Sequence, residues 1–549
     1  MRRTFFSTLI LASLAVTASA QTAASTPATL RLTIEDAVKM ALEHNVDLNA
    51  DRLDPQISDT RVAAAAGVFR PAVNSSVQRN NQLQPPASFL IPTATSNDVM
   101  TSSAGISQRL PRFGTSYAVS WNASHTNSNS FLNSYNPLLQ SGLAINVSQP
   151  LVRDLFIDQA RQQLVTSRIN RDISDTRLRE SLVHTTANVK RAYWNLVAAA
   201  ANVDSRKSVL ESAQELARVN KAKVDVGQSP PLDLVSAQAE VAADQEELII
   251  AETAVKVAED RLRVLIVDPS QRDSWTVKIE PIDSPPIGTP APDLDAAITR
   301  ALSDRADLLR ARKDIDSLQT NVKFAGNQRL PDVRVNASYL ASGLGGTQVL
   351  RVGGFPGTIV GGGANTDFGS VLSQLFSSSY PTWSAGVSVS YPLGQSAEEA
   401  NYARAKLERA QSEQRLKSAE ASAIQQIRSA GWQIEGNAKR IETARAAREL
   451  AEQRLDAERK RLEVGISTSF LVIQAQRDLA QAKTNELSAI LAYVLALVDF
   501  DALQEAGPAG AAPTSAAAPS PTPGVSTPVT GAPAPNAVGA GGIPGIVLR

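Results

Sequence analysis

Two long segments of the chain carry apolar residues every seven positions, the spacing typical of helices packed lengthwise on one another. The first series is Leu182, Val189, Leu196, Val203, Leu210, Ala217 and Val224. The second is Ile427, Ile434, Ile441, Leu455 and Leu462, with Arg448 interrupting it. Residues 151–226 also contain no Gly or Pro, which few segments other than a long helix tolerate. The pattern predicts a first long helix of about 70 residues and roughly 105 Å.

Both long segments end at a Val-Gly pair and are followed by a shorter helical segment. The first pair lies in "VDVGQSPPLDLV" from Val224, and the second lies in "LEVGISTSFLVI" from Leu462. Glycine permits the positive φ that ends a helix, and Ser, Thr or Pro after it favour a new helix start. We therefore predict a helical hairpin at each pair, with the following helices at about 232–266 and 470–503.

The two hairpins belong to an internal duplication. The offset between Gly227 and Gly465 also relates the tryptophans at 194 and 432, which we expect to be core anchors. Nearer the start of each half, "AVKMALEHNVDL" matches "AITRALSDRADL" at a different offset, 260 residues, which also relates Pro71 to Pro331. Such self-similarity predicts two copies of one unit. We assign the first repeat to 31–266, a connecting segment to 267–292 and the second repeat to 293–504.

The predicted helix lengths indicate how the helices stack. Each repeat opens with a helical segment, at about 34–66 and 294–325, and closes with one of similar length. Two such helices end to end equal one long helix, since each residue adds about 1.5 Å to a helix. We expect short helices to stack beside each long helix, with the polar, Pro-rich segment 267–292 at mid-height.

Between its opening and long helices, each repeat carries a charge-poor region in which apolar and small polar residues alternate. Strand-like alternation occurs in "TSYAVSWNA" and "LAINVSQPL" (first half) and in "DVRVNASYL" and "WSAGVSVSYPL" (second half). This gives four strands, or six if "AGISQRL" and "TSYAVSW" form a further hairpin turning at "PRFG". We place strands within about 71–152 and 331–393, and loops at 80–97 and 343–379.

These strands fit two kinds of sheet. One is a half-buried sheet of a soluble domain, and the other is a transmembrane barrel, which clustered aromatic residues and missing charges favour. Neither four nor six strands close a barrel, because about eight is the practical minimum. A barrel here would be shared between subunits.

Composition narrows the function classes. Residues 1–20 have the basic start, apolar run and small-residue cleavage site of an export signal. The 549 residues include no Cys and equal numbers of acidic and basic side chains, so neither a disulfide framework nor nucleic-acid binding is expected. His44, His125 and His184 lack metal-ligand spacing, no catalytic constellation stands out, and we expect no cofactor. The Ala/Pro/Gly-rich tail, 505–549, has the composition of a disordered segment.

The opening "LTIEDAVKMALEHN", the paired "VKVDVGQSPPLDLVSAQAEV" and "KRLEVGISTSFLVIQAQRDL", and the half-repeat resemble the TolC family of outer-membrane factors. These proteins are the exit ducts of bacterial efflux pumps and type I secretion systems. The resemblance covers roughly residues 31–504. It implies an α+β membrane protein: a homotrimer with a long antiparallel α-helical coiled-coil barrel in the periplasm and a transmembrane β-barrel shared by three subunits.

The resemblance also implies partners and site residues. The hairpin tips would dock the periplasmic adaptor of an inner-membrane pump, while the barrel would meet outer-membrane lipid. The implied docking residues are Val226, Gly227, Gln228, Ser229, Val464, Gly465, Ile466 and Ser467. Familiar members carry acids six and nine positions after the second tip glycine, whereas this chain has Leu471 and Gln474. The acid instead lies in the first half, where Asp233 is either a gate residue or a first-turn helix acid.

The function that these observations favour is a passive outer-membrane channel for efflux or secretion, without enzymatic chemistry. The alternative is an exported trimeric coiled-coil structural or adhesin protein without a channel. That alternative explains the heptads and the export signal, but it does not explain the duplicated strands.

Overall fold

The computed structural model describes residues 29–86, 94–130, 133–268, 270, 275, 277–288, 292–353, 357–391, 393–394 and 396–508. Residues up to Gly507 form one unit, and those from Pro508 onward form a second, which lies almost entirely outside the described residues. The expected export signal at 1–20 and the tail beyond residue 508 also lie outside them.

The two repeats contain corresponding helices. In the first half these are α1 (Ile34–His44), α2 (Val46–Asp51), α3 (Leu53–Gly67), α4 (Gln159–Asp225) and α5 (Pro231–Ile266). The second half has α6 (Leu294–Asp304), α7 (Ala306–Gln328), α8 (Phe368–Phe376), α9 (Ala397–Glu463) and α10 (Ser469–Glu505). Of these, α8 has no counterpart among the described helices of the first half. The long helices α4 and α9 each span 67 residues, close to the predicted length.

Side-chain caps mark where the long helices begin. The Asp158 carboxylate accepts a hydrogen bond from the backbone N–H of Arg161 at the start of α4, and Ser396 accepts one from Glu399 at the start of α9. Such caps satisfy N–H groups that have no partner within the helix. Helix starts are thus set by local sequence.

The predicted opening helices are each interrupted. The first breaks at Asn45 (ψ 123°) and the second at Arg305 (ψ 124°), the equivalent position of the second repeat. Asn45 then caps α2 by accepting from the backbone N–H of Leu48. The periodicity predicted one helix in each place because apolar spacing continues across a single extended residue.

Short helices stack beside the long ones, as the lengths predicted. Helices α3 and α5 pack against successive parts of α4, while α7 and α10 pack against both α4 and α9. The heptad residues Val189, Leu196, Ile427 and Ile434 are buried in these contacts. The helices of the chain therefore form one wall, in which α4 lies in the interior and α9 lies towards one edge.

A core at mid-height joins the two repeats. It includes Trp194 and Leu196 of α4, Leu262 of α5, Ile434 of α9 and Tyr493 of α10. Strand β1 (Thr29–Leu32) lies parallel to β6 (Lys278–Pro281) beside this core, so the segment between α5 and α6 contributes to it through Ile279.

The expectation that both repeat tryptophans are core anchors is half wrong. Trp194 is 6% exposed, whereas Trp432 is 58% exposed on α9 and lies beside Arg428 in a cation–π contact of 5.3 Å. The difference follows from position in the wall, because α4 has helices on both sides and α9 packs against α6, α7 and α10.

One seven-stranded sheet collects the charge-poor regions. Its strands are β2 (Ala72–Gln84), β3 (Thr95–Arg109), β4 (Ser116–Ser128), β5 (Tyr135–Pro150), β7 (Asp332–Val352), β8 (Thr358–Thr366) and β9 (Tyr380–Ser390). They pair antiparallel in the order β2-β3-β4-β5-β7, and β9 and β8 pair with successive parts of β7. Within the described residues the sheet is open.

The structure corrects the predicted strands and loops. The described residues contain six long strands, so the further hairpin turning at "PRFG" exists, and β2 is a strand that the alternation did not reveal. The predicted loop at 80–97 contains the ends of β2 and β3. The predicted loop at 343–379 contains the end of β7, all of β8 and helix α8, whose Val371 packs against Gly343 and Gly345. Loops were predicted in these places because Ser, Asn and Gly are frequent in loops, but the same residues also occur in these strands.

None of the helices within the described ranges combines the length and apolar character needed to cross a membrane.

Candidate functional site at the helical hairpin tips

The two hairpin tips share one backbone geometry. After α4, Gly227 has φ +75° and its N–H donates to the Val224 carbonyl (2.9 Å), while the Gln228 N–H donates to Lys223 (2.7 Å). After α9, Gly465 has φ +80° and the same two hydrogen bonds are present. The Gly465 N–H donates to the Leu462 carbonyl (3.2 Å), and the Ile466 N–H donates to the Arg461 carbonyl (2.9 Å). This is the Schellman arrangement, which requires a left-handed residue after the helix. The Val-Gly pairs were therefore correctly predicted as helix ends.

The two tips start their second helices differently. Pro231 occupies the first position of α5 and needs no N–H partner there. In the second tip, Thr468 caps α10 by accepting from the Leu471 N–H, and Ser467 donates to the Glu458 carboxylate on α9 (2.7 Å). That hydrogen bond, together with Arg461, lowers the pKa of Glu458. The second tip is tied back to its own helix by a side chain.

The predicted docking residues form two exposed tips. Val226 is 68% exposed, Val464 70% and Ile466 75%, and Gly227, Gln228 and Gly465 are exposed beside them. Ser229 and Ser467 are half-buried. Exposed apolar side chains grouped at the end of a helical hairpin are a surface that a protein partner can cover.

Asn220 joins the two hairpins just behind the tips. It is fully buried on α4, its amide donates to the Asp233 carbonyl on α5 (3.3 Å), and its Oδ1 accepts from the hydroxyl of Ser469 on α10 (3.1 Å). A buried amide with both ends satisfied fixes the helices that supply its partners. Asn220 therefore holds the starts of α5 and α10 together.

A second link between the hairpins lies further from the tips. The guanidinium of Arg477 on α10 contacts both carboxylate oxygens of buried Glu240 on α5, with Nε 2.8 and 3.1 Å from them. Asp244, one turn further along α5, is half-buried, and its pKa is raised by burial and by the charge of Glu240. The contact between hairpins thus contains one well-paired carboxylate and one whose charge is disfavoured.

The structure places the three candidate gate residues in the first two turns of α5 and α10. Asp233 and Leu471 both occupy the third position of their helices, Asp233 half-buried and Leu471 exposed. The N–H of Asp233 donates to Pro230 (3.0 Å), and Gln474 donates to Asp478 (3.1 Å). Of these three residues, Asp233 is the one that lies next to the link through Asn220.

Sequence reasoning missed Asn220, Glu240 and Arg477. For Asn220 a signal existed, because it lies three positions after the heptad residue Ala217, where a coiled-coil seam expects a second apolar residue. Its counterpart in the second repeat is Glu458, which binds Ser467 of the second tip. Glu240 and Arg477 gave no such signal, since charged residues are common on helix surfaces.

The described part of the chain holds no group of three or more His, Cys, Asp or Glu residues that is arranged to bind a metal ion.

Comparisons with known proteins identify the family. A family model described as outer membrane efflux protein matches residues 103–266 and 297–503, more than half of the chain. The chain belongs to the outer membrane efflux protein family, whose members are transport conduits rather than enzymes. A search of curated proteins found no significant match.

Solved structures share the fold at low sequence identity. The Campylobacter jejuni CmeC outer membrane channel is 15% identical, with a TM-score of 0.60 over 86% of this chain and 85% of that one. The Vibrio cholerae outer membrane protein VceC is 15% identical, with a TM-score of 0.58 over 86% and 96%. The open state of the Neisseria gonorrhoeae MtrE outer membrane channel is 17% identical, with a TM-score of 0.58 over 86% and 89%.

Proposed function

We propose that this protein is the outer-membrane exit duct of a tripartite efflux pump or type I secretion system. The observation that carries the proposal is the family match, which covers the hairpin of each repeat together with strands of the sheet. The outer membrane channels that share the fold support it. The coiled-coil adhesin alternative gains nothing from these similarities.

In this proposal three copies assemble through their exposed flanks. The outward face of α9 carries exposed Leu407, Trp432 and Leu450, and α5 carries exposed Ile249 and Val257. Apolar side chains left at both edges of a helical wall are buried when the edge of one copy meets the next. Three walls then surround a periplasmic tunnel, and the sheets form a shared barrel in the outer membrane.

The tips dock the adaptor, and the helices behind them open the tunnel. Val226, Val464 and Ile466 present apolar area to a periplasmic adaptor protein, which links the duct to an inner-membrane pump. The links through Asn220 and Arg477 keep the hairpins together when the tunnel is closed. Cargo passes without chemical change, so no cofactor is required.

Conductance in planar bilayers tests the duct. Protein purified from outer membranes as a trimer is expected to form channels, and Asp233→Ala is expected to raise conductance or weaken block by divalent cations. Asp225→Ala, which removes an exposed carboxylate at the end of α4, is the matched control. Recovery as a soluble periplasmic monomer without channel activity would contradict the proposal. Unchanged conductance in Asp233→Ala would contradict only the gate role of Asp233, and the proposal of an exit duct would stand.

Adaptor docking is tested separately. Replacing Val226, Val464 and Ile466 together by Ser should abolish capture of the adaptor encoded beside this protein, while bilayer conductance remains. Val46→Ser changes an exposed apolar residue on α2, outside both the tips and the flanks named above, and should leave capture intact. Equal capture by both variants would rule out docking through the tips.

A further inference from the structure

Among the described residues, the first repeat carries two more long strands than the second. Pro71 matches Pro331 just before β2 and β7, so β2 corresponds to β7. "INVSQPL" from Ile145 matches "VSVSYPL" from Val387, so β5 corresponds to β9. Strands β3 and β4 therefore form a hairpin inserted between the two matched strands of the first repeat.

This inserted hairpin is an integral part of the sheet. Register runs without a shift through β2-β3, β3-β4 and β4-β5. A Cβ on Gly105 of β3 would lie 3.1 Å from the Asn74 side chain of β2, and one on Gly142 of β5 would lie 2.8 Å from Asn122 of β4. Side chains thus lie over glycines of the neighbouring strand on both sides of the hairpin. The hairpin is packed into the sheet at both of its edges.

All six long strands share one apolar face. Alternation and register place on it, strand by strand, Val73 and Val77; Ala104 and Ile106; Val119 and Trp121; Leu143, Ile145 and Val147; Val335, Ala337 and Tyr339; Trp383, Val387 and Val389. Many of these side chains are exposed in the single chain, and α8 packs against β7 and β5 at the end of the sheet far from the long helices.

The opposite face is polar across the same strands. Hydrogen bonds between neighbouring strands run across it from Ser76 to Ser103 (2.8 Å), from Ser148 to Asn336 (2.8 Å) and from Ser338 to Ser384 (2.7 Å). An apolar face and a polar face that continue over six strands match the lipid and water sides of a transmembrane barrel.

The sheet ends in two exposed strands, β2 and β9, which run in opposite directions. Every residue of β2 and of β9 is exposed, and among the described residues neither strand has a second neighbour along its length. Six strands are too few to close a barrel. With an even number of antiparallel strands, the free edge of β2 in one copy runs antiparallel to the free edge of β9 in another.

We propose that three copies close an 18-stranded barrel, in which β2 of each copy pairs with β9 of the next. This rests on the trimer proposed above. At a strand spacing of about 4.7 Å and a tilt of about 40°, 18 strands give a backbone diameter of roughly 35 Å, against roughly 23 Å for 12 strands. The inserted hairpin therefore widens the outer exit by about half, so cargo size is limited at the helical tips.

The duplication also sets the register of the seam between copies. Within the chain, Val147 of β5 lies opposite Ala337 of β7. The match of β5 to β9 makes Val147 equivalent to Val389, and the match of β2 to β7 makes Ala337 equivalent to Val77. The seam therefore pairs Val77 with Val389 of the partner subunit, and both lie on the apolar face. By the same mapping, Asn81 pairs with Ala385 of the partner subunit.

Cross-linking in outer membranes tests this register, because the chain contains no Cys of its own. The double variants V77C/V389C and N81C/A385C should give covalent trimers with a short thiol-specific cross-linker. The control V77C/A385C places the thiols out of register, about 13 Å apart along the strand, and should remain monomeric on denaturing gels. Equal cross-linking of all three variants, or of none, would overturn the seam.

Strand counting by electron microscopy of the wild-type protein in nanodiscs separates the inference from the proposed function. Trimers with 18 strands support it. Trimers with 12 strands, with one hairpin of each copy outside the barrel, would refute the 18-stranded barrel. They would leave the proposed function as an exit duct unaffected. Particles that are not trimers would refute the duct assembly itself.

Discussion

At the scale of single residues, one buried amide controls how the two hairpins meet. Asn220 has no exposed surface, and it binds a carbonyl of α5 and the hydroxyl of Ser469 on α10. A polar group in such a place fixes the register of the helices around it, because any shift leaves buried donors and acceptors unpaired.

Asn220→Ala is expected to loosen the tips. It leaves the buried Ser469 hydroxyl without its acceptor and removes the amide that bonds the Asp233 carbonyl, with a penalty of about 1–3 kcal/mol. Hydrogen-exchange mass spectrometry should show faster exchange at the starts of α5 and α10, with the mid-height core unchanged. Lys221→Ala, at the exposed neighbouring position, should exchange like the wild type. Unchanged exchange in Asn220→Ala would show that the link is dispensable.

The pH dependence of the contact between hairpins is set by Asp244. Burial raises its pKa above the ordinary 3.8, with Glu240 and Glu247 adding to the shift and Arg206 and Arg477 opposing it. Stability from the protonated form is full below about pH 3.8 and is lost as pH rises through the raised pKa. Asp244→Asn should therefore raise the thermal midpoint at pH 7 and have little effect at pH 3.5.

The control for this measurement is Glu211→Gln, which removes an exposed carboxylate from α4. It should leave the thermal midpoint of unfolding unchanged at both pH values. A lower midpoint for Asp244→Asn at pH 7 would mean that attraction to Arg206 and Arg477 outweighs burial.

At the scale of elements, each hairpin depends on one left-handed glycine. Gly227 and Gly465 have positive φ, and a Cβ at either position would meet no atom within 4 Å. Substitution there is therefore limited by backbone strain alone. The other residues of each turn are free to differ, as Pro230 and Thr468 show.

Gly465→Ala should destabilise the second hairpin by about 1–2 kcal/mol, because an L-residue is strained in the left-handed region. Gly465→Asn should lose less, since Asn tolerates that region. The control is Gly436→Ala within helix α9, where a Cβ also meets nothing and alanine favours the helix. Hydrogen exchange at the tip would measure this, and identical results for Gly465→Ala and Gly436→Ala would contradict the strain argument.

At the scale of the whole molecule, the two halves have equivalent helices in unequal surroundings. Trp194 and Trp432 occupy equivalent positions of α4 and α9, yet one is buried and the other exposed. In the proposed trimer, α9 gains the neighbour that α4 already has. The exposed tryptophan is then the counterpart of the buried one across a subunit boundary.

Trp432→Ala is expected to weaken assembly, whereas Trp194→Ala is expected to weaken the fold. Truncating a buried tryptophan destabilises by about 3–5 kcal/mol, so Trp194→Ala should lower the thermal midpoint of the subunit. Native mass spectrometry in detergent should show Trp432→Ala subunits separating from the trimer at lower concentration of denaturant. Intact trimers at wild-type stability would place Trp432 outside the interface.

The sequence by itself determined the local features. Heptad spacing, the Val-Gly pairs and the shared offset of the two hairpins were enough to place two long helices and two hairpin ends, because helix periodicity and the positive φ of glycine are local properties. Alternation revealed the strands with clear apolar positions. It missed β2, whose two faces differ less because Ser, Asn and Gln occupy most of it.

Tertiary structure alone decided the pairings. The Asn220 and Arg477 links join residues 249 and 237 positions from their partners Ser469 and Glu240, distances at which no local pattern operates. The exposure of Trp432 depends on which helices flank α9, and repeat symmetry predicts that its environment equals that of Trp194. The seven-stranded sheet of the described residues likewise follows from pairing between distant segments, and that pairing leaves one edge of β2 and one edge of β9 unpaired within the chain.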